Sequence, residues 1–368
     1  MPKHWSVPKY TRREVNEAGR LLANAESSHD VPEDALEIIN NWRSAHSWPL
    51  NTFKLGLVKK ARQVSQSCTV AQRLKRLSSI AAKLQRFPEM KLSQMQDIAG
   101  CRAIVPSVAH VRQLVKLFQK SDIKHQALQA DDYITNPKDS GYRSVHLKYK
   151  YFSDKNQAYN NLKVEIQLRS RLQHAWATAV ETAGLFTDQA LKSSQGSEDW
   201  LRFFALMGSA IALREKTPLV PNTPHSRGAL KREISEYAQK LQVIGHLKGY
   251  TEALKTQEQV GARKDAHYYL IELDPLLGHL RITGYTENQL DRAMNDYLNV
   301  ERSGIGSKTI KDSVLVSVLS INALKRAYPN YFIDTHRFIH TVEQVLRAPI
   351  GSGGSRGYAV SQQIPLPL

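Results

Sequence analysis

The chain has 368 residues, with 51 Lys and Arg against 34 Asp and Glu, a formal net charge of +17 at pH 7. Two cysteines, Cys68 and Cys101, exclude a disulfide framework and a four-thiolate zinc site, and no apolar run is long enough to span a bilayer. The basic excess points to an anionic partner, and "MPKHWSVPKY" lacks a signal-peptide core, so a cytoplasmic protein without a membrane partner is expected.

Residues 33–46 and 52–86 read mostly as helices, with Leu74, Leu77, Ala81 and Leu84 at helical spacing and Arg73, Arg76 and Lys83 on another face. From Ile38 to Pro88 there is no acid, whereas a solvated helix surface would mix signs. An anion-binding face is expected there, with Lys54, Lys59, Lys60 and Arg62 facing an RNA backbone. "MQDIAGCRAIV" then brings an acid, small residues and a short β-rich run at 102–105, followed by an amphipathic helix over 108–120.

"NPKDSGYRSVHLKYKY" opens with turn residues and then alternates strictly. Val145, Leu147, Tyr149 and Tyr151 fall on one face of a strand, and Ser144, His146, Lys148 and Lys150 on the other, with Tyr142 expected to be exposed ahead of it. "LKVEIQLR" alternates too, placing Leu162, Val164, Ile166 and Leu168 opposite Glu165, Gln167 and Arg169. Helices fill 170–183 and roughly 198–215.

The three prolines of "TPLVPNTPHSRG" suggest a linker at 217–228. Beyond it, "HYYLIELD" and "GHLRITGY" look like paired strands. "TENQLDRAMNDYL" opens on a Thr-x-x-Gln capping box and gathers Leu290, Ala293, Met294 and Tyr297 on one face. "DSVLVSVLSI" is β-rich, a helix closes the unit, and a Gly/Ser-rich tail follows. The expected division is a first domain over 1–216, the linker, a second domain over 229–350 and a tail over 351–368.

Asp97 and Glu165 lie beside segments that would share one sheet, and two such carboxylates suit Mg2+, a hard cation that prefers oxygen ligands and substrate phosphates. Arg73, Lys83 and Arg102 add positive charge close by, a combination suited to a metal-bound polyphosphate.

"DIAGCR", "NPKDSGYRSVH" and "VEIQLRSRLQHAWA" resemble, in order and spacing, the synthetase motifs of the RelA/SpoT family of pyrophosphokinases over roughly residues 50–185. The resemblance implies an α+β fold, a nucleotidyltransferase-like mixed β-sheet flanked by helices. It implies transfer of the β,γ-diphosphate of ATP to a ribose hydroxyl. Matched residue by residue, Arg73 and Arg102 correspond to the adenine-sandwiching pair and Lys83 to a phosphate contact. Asp97 and Glu165 correspond to the magnesium-binding catalytic acids, with Glu165 also the candidate base. Tyr142 corresponds to the tyrosine on which the acceptor base stacks, and Lys138 and His146 to acceptor-side phosphate contacts. Arg143, Gln167, Arg169 and His174, within the same motifs, are assigned to the acceptor side with them.

Position 140 is Ser where makers of the alarmones ppGpp and pppGpp commonly carry Asn, which puts guanine recognition in question. "QHAWATAVETAG" together with "YPNYFIDT" resembles the toxic small alarmone synthetases of the fused CapRel type. That likeness implies a metal-free, zinc-finger-like α/β regulatory domain at the C-terminus and the 3′-terminal adenosine of tRNA as acceptor. It further implies an activating phage capsid protein, and Tyr328 and Tyr331 as a regulatory plug over the ATP site. The alternatives are a (p)ppGpp synthetase and a catalytically inactive RNA-binding module.

Overall fold

The computed structural model describes residues 5–25, 30–187, 197–248, 258–261, 266–274, 279–304, 312–317, 324–325, 327 and 335–348. Tyr328, Tyr331 and the tail 351–368 lie outside the described residues.

Three helices lead in: α1 (Arg12–Asn24), α2 (Glu33–Ala45) and α3 (Ser47–Val64). Helix α1 starts at a capping box in which Thr11 and Glu14 each satisfy the other's backbone N–H. The expectation of helix through most of 52–86 is corrected here. Helix α3 stops at Val64, and strand β1 (Thr69–Leu74) intervenes before α4 (Leu77–Arg86). The strand begins with β-branched Thr69 and Val70 and pairs along its whole length with β2 (Ala99–Val105). The helical spacing of Leu74 with Leu77 is therefore accidental, and Arg73 stands on a strand rather than on the face that carries Lys83.

Helix α5 (Val108–Gln119) and the short strands β3 (Gln126–Ala127) and β4 (Asp131–Asp132) precede β5 (Val145–Lys150) and β6 (Lys163–Ser170). Helices α6 (Arg171–Thr187), α7 (Glu198–Glu215) and α8 (Arg227–Lys240) follow. The C-terminal part adds β7 (Glu258–Gly261), β8 (Tyr268–Asp274), β9 (His279–Tyr285), α9 (Leu290–Gly304), β10 (Asp312–Ser317) and α10 (His336–Arg347). Ahead of α9, Thr286 and Gln289 form the expected capping box.

All strands join one mixed sheet in the order β3-β5-β6-β2-β1-β10-β8-β9-β7, with β4 also on β5. The pairs β2–β6 and β7–β9 are parallel and the rest antiparallel. The apolar sides of β2, β5 and β6 bury Cys101, Ala103, Leu147, Tyr149, Ile166 and Leu168 against α3 and α5, where Phe53, Leu57, Leu114 and Phe118 pack. A second core gathers Trp176, Phe203 and Phe204 from α6 and α7 with Leu230 of α8 and Phe338 of α10.

The segment after α7, expected to be a linker, is pinned. The Arg143 guanidinium donates to Thr217 Oγ1 at 3.2 Å and to the Pro218 carbonyl at 2.5 Å, while Thr223 is buried against Ser209 at 2.6 Å. Besides apolar packing, two polar contacts of the chain beyond with the N-terminal part bear on the site. Strand β10 pairs with β1, placing Val316 opposite Arg73. Arg43 of α2, with no exposed side-chain surface, donates to Glu301 of α9 at 2.8 Å and to the Tyr297 hydroxyl at 3.1 Å. Glu301 also accepts from the Leu77 backbone N–H at 2.9 Å.

Removing one partner of such a pair strands the other charge. Arg43→Met is expected to cost about 3–5 kcal/mol in thermal or urea unfolding, with Arg43→Met/Glu301→Gln recovering part of it. A near-neutral single variant would show that the pair contributes little. Buried His46, bonded to the Trp42 carbonyl at 2.7 Å, is pushed down to about 4 by burial. The unfolded chain takes up this proton below about pH 6.5 and the folded one does not, so stability is complete above that pH and falls toward pH 4. His46→Gln is expected to flatten that part of the stability–pH curve. An unchanged slope would remove His46 from the acid response.

Candidate active site

Strand register assembles the site. Arg73, Gly100, Glu165 and Lys148 lie side by side across β1, β2, β6 and β5, and Ala71, Arg102, Gln167 and His146 form the adjacent row. Residues directly opposite share a face, so Arg73, Arg102, Glu165, Gln167, Arg169, His146 and Lys148 stand on one side, away from α3 and α5. Gly100 keeps the middle of the first row open, because a Cβ there would meet only the Arg73 carbonyl, at 3.9 Å.

Asp97 enters at the start of β2. Lys83 Nζ holds its Oδ1 and Lys75 Nζ its Oδ2, each at 2.8 Å. Burial alone would raise the Asp97 pKa, but the two lysine charges outweigh it and hold the carboxyl well below the usual range. Burial pulls Lys75 down, only partly offset by Asp97.

Glu165 is 6% exposed. His146 Nδ1 lies 3.3 Å from its Oε2, and Gln167 Nε2 donates to Oε1 at 2.6 Å. Burial opposes ionisation of Glu165, as does the Asp97 charge nearby, but the His146 hydrogen bond and charge prevail and lower its pKa. Burial opposes the charge on His146 as well, yet the Tyr142 hydroxyl and Glu165 together push it up to about 9. As an imidazolium, His146 donates from Nε2 to the Tyr142 oxygen at 2.8 Å and from Nδ1 to Glu165. Arg169 Nη2 donates to the same tyrosine oxygen at 2.6 Å.

Tyr142, expected to be exposed, is buried. Gly141 has φ +90°, which turns the chain inward, and the ring edges meet Tyr133, His146 and Trp176. Arg169 lies 5.1 Å and Lys138 5.6 Å from the ring centroid.

The remaining expected residues divide. Arg143 is wrapped by the Ile134 and Pro218 carbonyls and serves as a clamp. His174 is buried on α6. Lys54, expected on an RNA face, is corrected: it is buried beneath the sheet, its Nζ on Ser317 Oγ at 2.7 Å, because its position on α3 points into the core. Lys59 and Arg62 are exposed on α3, and half-buried Lys60 lies over the Phe118 ring, so these bases belong to the side of the sheet opposite Glu165. Sequence reasoning missed Lys75, the second clamp on Asp97. It also missed Tyr133, which donates to Asp131 at 3.0 Å beside the Lys148–Asp131 ion pair at 2.6 Å. The signal was available, since "DDY" stands two residues ahead of the turn segment and Lys75 lies two residues after Arg73.

An open row between carboxylates and fixed cations offers complementary charge to a ligand that carries both signs. Residues 72–187 match the family model described as the region found in RelA / SpoT proteins. The chain is 37% identical over 113 residues to the GTP pyrophosphokinase YjbM of Bacillus subtilis (strain 168), covering 30% of this chain and 52% of that protein. It is 33% identical over 113 residues to YwaC, a second GTP pyrophosphokinase of that strain, covering 29% and 52%. The chain thus spans about half the length of the curated relatives it matches. Among solved structures, that of Bacillus subtilis small alarmone synthetase 1 bound to its product pppGpp has a TM-score of 0.40 at 25% identity, covering 46% of this chain and 89% of that one.

Arg169 tests the anion character of the site. It is 1% exposed, and its Nε and Nη1 have no hydrogen-bond partner, nor the guanidinium a carboxylate, among the described residues. Arg169→Met is therefore expected to leave thermal stability within about 1 kcal/mol of wild type, or above it, while nucleotide polyphosphate binding falls in calorimetry. A large loss of stability with binding retained would make Arg169 a packing residue.

Proposed function

We propose that the chain is an ATP-dependent diphosphotransferase that moves the β,γ-diphosphate of ATP to a ribose hydroxyl and releases AMP, with the 3′-terminal adenosine of tRNA as acceptor. The observation that carries the reaction is the row Arg73–Gly100–Glu165–Lys148 with Asp97 at its mouth. Arg73 and Arg102 are diagonal neighbours on antiparallel strands, and such positions are about 7–8 Å apart, room for one planar base between two guanidiniums. Lys83 and Lys75 meet the polyphosphate beside Asp97. Tyr142 supports the acceptor base, and Glu165 accepts the hydroxyl proton or holds the metal.

The donor chemistry suits Mg2+: Asp97 and Glu165 offer hard carboxylate oxygens, which that ion takes together with substrate phosphates and water. When bound, the ion would neutralise the polyphosphate and hold it against the two carboxylates. The chain's own task is to exclude water from Glu165 and hold it ionised through His146.

Two features support tRNA: the net charge of +17, and the exposed Lys59 and Arg62 of α3. Because α3 covers the opposite side of the sheet, these bases would contact RNA away from the reacting end. A guanosine nucleotide is the second reading, favoured by the names of the two relatives. We read the C-terminal unit as the restraint on this activity, a reading that the pairing of β10 beside Arg73 supports, and a phage capsid protein as the agent that releases it.

ATP labelled in the β,γ-diphosphate, offered with tRNA, GDP and GTP, decides the acceptor. Label in tRNA supports the first reading, label in the guanosine nucleotides the second, and none in either overturns both. Glu165→Gln and Asp97→Asn are each expected to lower transfer by about 10²–10⁴-fold with the fold intact. Lys59→Glu/Arg62→Glu is expected to weaken tRNA labelling and flatten its salt dependence. Unaltered labelling would remove α3 from the RNA interface.

A further inference from the structure

The turn that carries Tyr142 rests on a helix outside residues 72–187, the part that matches the family model. The turn closes with Gly141 N–H donating to the Lys138 carbonyl at 2.8 Å. Its floor is the Phe204–Gly208 turn of α7. A Cβ on Gly141 would lie 2.9 Å from the Phe204 carbonyl oxygen and 3.2 Å from Ala205 Cα. A Cβ on Gly208 would lie 2.8 Å from Gly141 Cα, 3.0 Å from its carbonyl oxygen and 3.1 Å from Val220 Cγ2. Two glycine backbones are therefore in direct contact, and side chains on either would force them apart.

The surroundings hold this contact from three sides. Trp176 donates from Nε1 to the Phe204 carbonyl at 2.9 Å, so α6 fixes the seat and meets the Tyr142 ring edge at a centroid distance of 6.4 Å. Val220 N–H donates to Ser209 Oγ at 2.9 Å, and Thr223 closes on Ser209, which straps 217–223 across α7. Arg143, the residue after Tyr142, is anchored on the same strap. Tyr142 is thus gripped through both chain neighbours by α7 and its strap, whereas Asp97 is held by Lys75 and Lys83.

We propose that Gly208 is a positioning residue for acceptor binding, and that α7 with its 217–223 strap sets where the Tyr142 ring stands. The inference rests on Tyr142 being the acceptor-side residue, as proposed above. A shift of the turn by a few tenths of an ångström moves the ring against Arg169 and His146. It leaves Asp97, Lys83 and Arg73 in place.

The test is Gly208→Ala in the full chain, with steady-state transfer measured against acceptor and ATP separately, using whichever acceptor the wild type labels. The expected result is acceptor KM raised about tenfold or more, ATP KM within twofold, and a melting temperature showing a folded protein. Should the alanine variant not fold, Thr223→Val loosens the strap without adding bulk at the glycine contact, and the same one-sided rise in acceptor KM is expected. A folded Gly208→Ala with unchanged acceptor KM overturns the proposal. Equal losses on the ATP and acceptor sides in both variants also overturn it, since they mark a role in packing alone. Wild-type protein that binds ATP but labels neither acceptor overturns instead the reading of the reaction beneath it.

Discussion

Three consecutive outward positions of a central strand, Glu165, Gln167 and Arg169, carry polar groups on a face from which water is largely removed. A buried charge is costly unless opposed or hydrogen-bonded, and this governs the rest of the site. Glu165 is answered by His146 and Gln167, and Arg169 by Tyr142 and Gln167. His146 in turn becomes cationic because two acceptors flank it. Tyr142 is drawn inward because its hydroxyl is the oxygen on which Arg169 and His146 converge. The strand therefore dictates the position of a residue on the preceding turn, and that turn then requires glycine at Gly141 and at the facing Gly208.

Glycine has a second use in the sheet. The row from Arg73 to Lys148 contains a gap only because position 100 has no side chain. An alanine there would meet no clash but would narrow the space between a guanidinium and a carboxylate. Open volume between fixed opposite charges favours a ligand that presents both a cation and an anion, and the proposed metal-bound polyphosphate rests on that feature.

The alternation of β5 and β6 was legible, because a period of two survives in the residue types even where the polar face is buried. The helices α5, α6 and α7 and the capping box before α9 were legible for the same kind of reason: apolar spacing and cap chemistry are local. Strand β1 was not. Its six residues follow a long helix and precede another, and Leu74 happens to continue a helical spacing, so only the pairing with β2 reveals the strand. Lys54 failed similarly. Charge composition marks a stretch as basic but does not say which lysine faces inward. The role of 217–223 was hidden because three prolines signal an irregular backbone, and an irregular backbone is as compatible with a strap as with a linker.

The C-terminal elements meet the site at the places where it handles charge. Strand β10 pairs with β1 at Gln72 and Arg73, so the strand carrying this guanidinium is an interior strand there only while β10 is present. Glu301 accepts the N–H of Leu77, the first residue of α4, and α4 carries Lys83 to Asp97. Arg43 neutralises Glu301 and also donates to the Lys75 carbonyl at 3.1 Å. A single buried carboxylate of α9 thus binds Arg43 directly and is linked, through Leu77 and the Lys75 carbonyl, to the segments that carry Lys83 and Lys75. Withdrawing it would leave Arg43 without its carboxylate and Leu77 N–H without its acceptor, which couples the placement of α9 to that of Lys75 and Lys83 through directional bonds rather than through apolar contact alone.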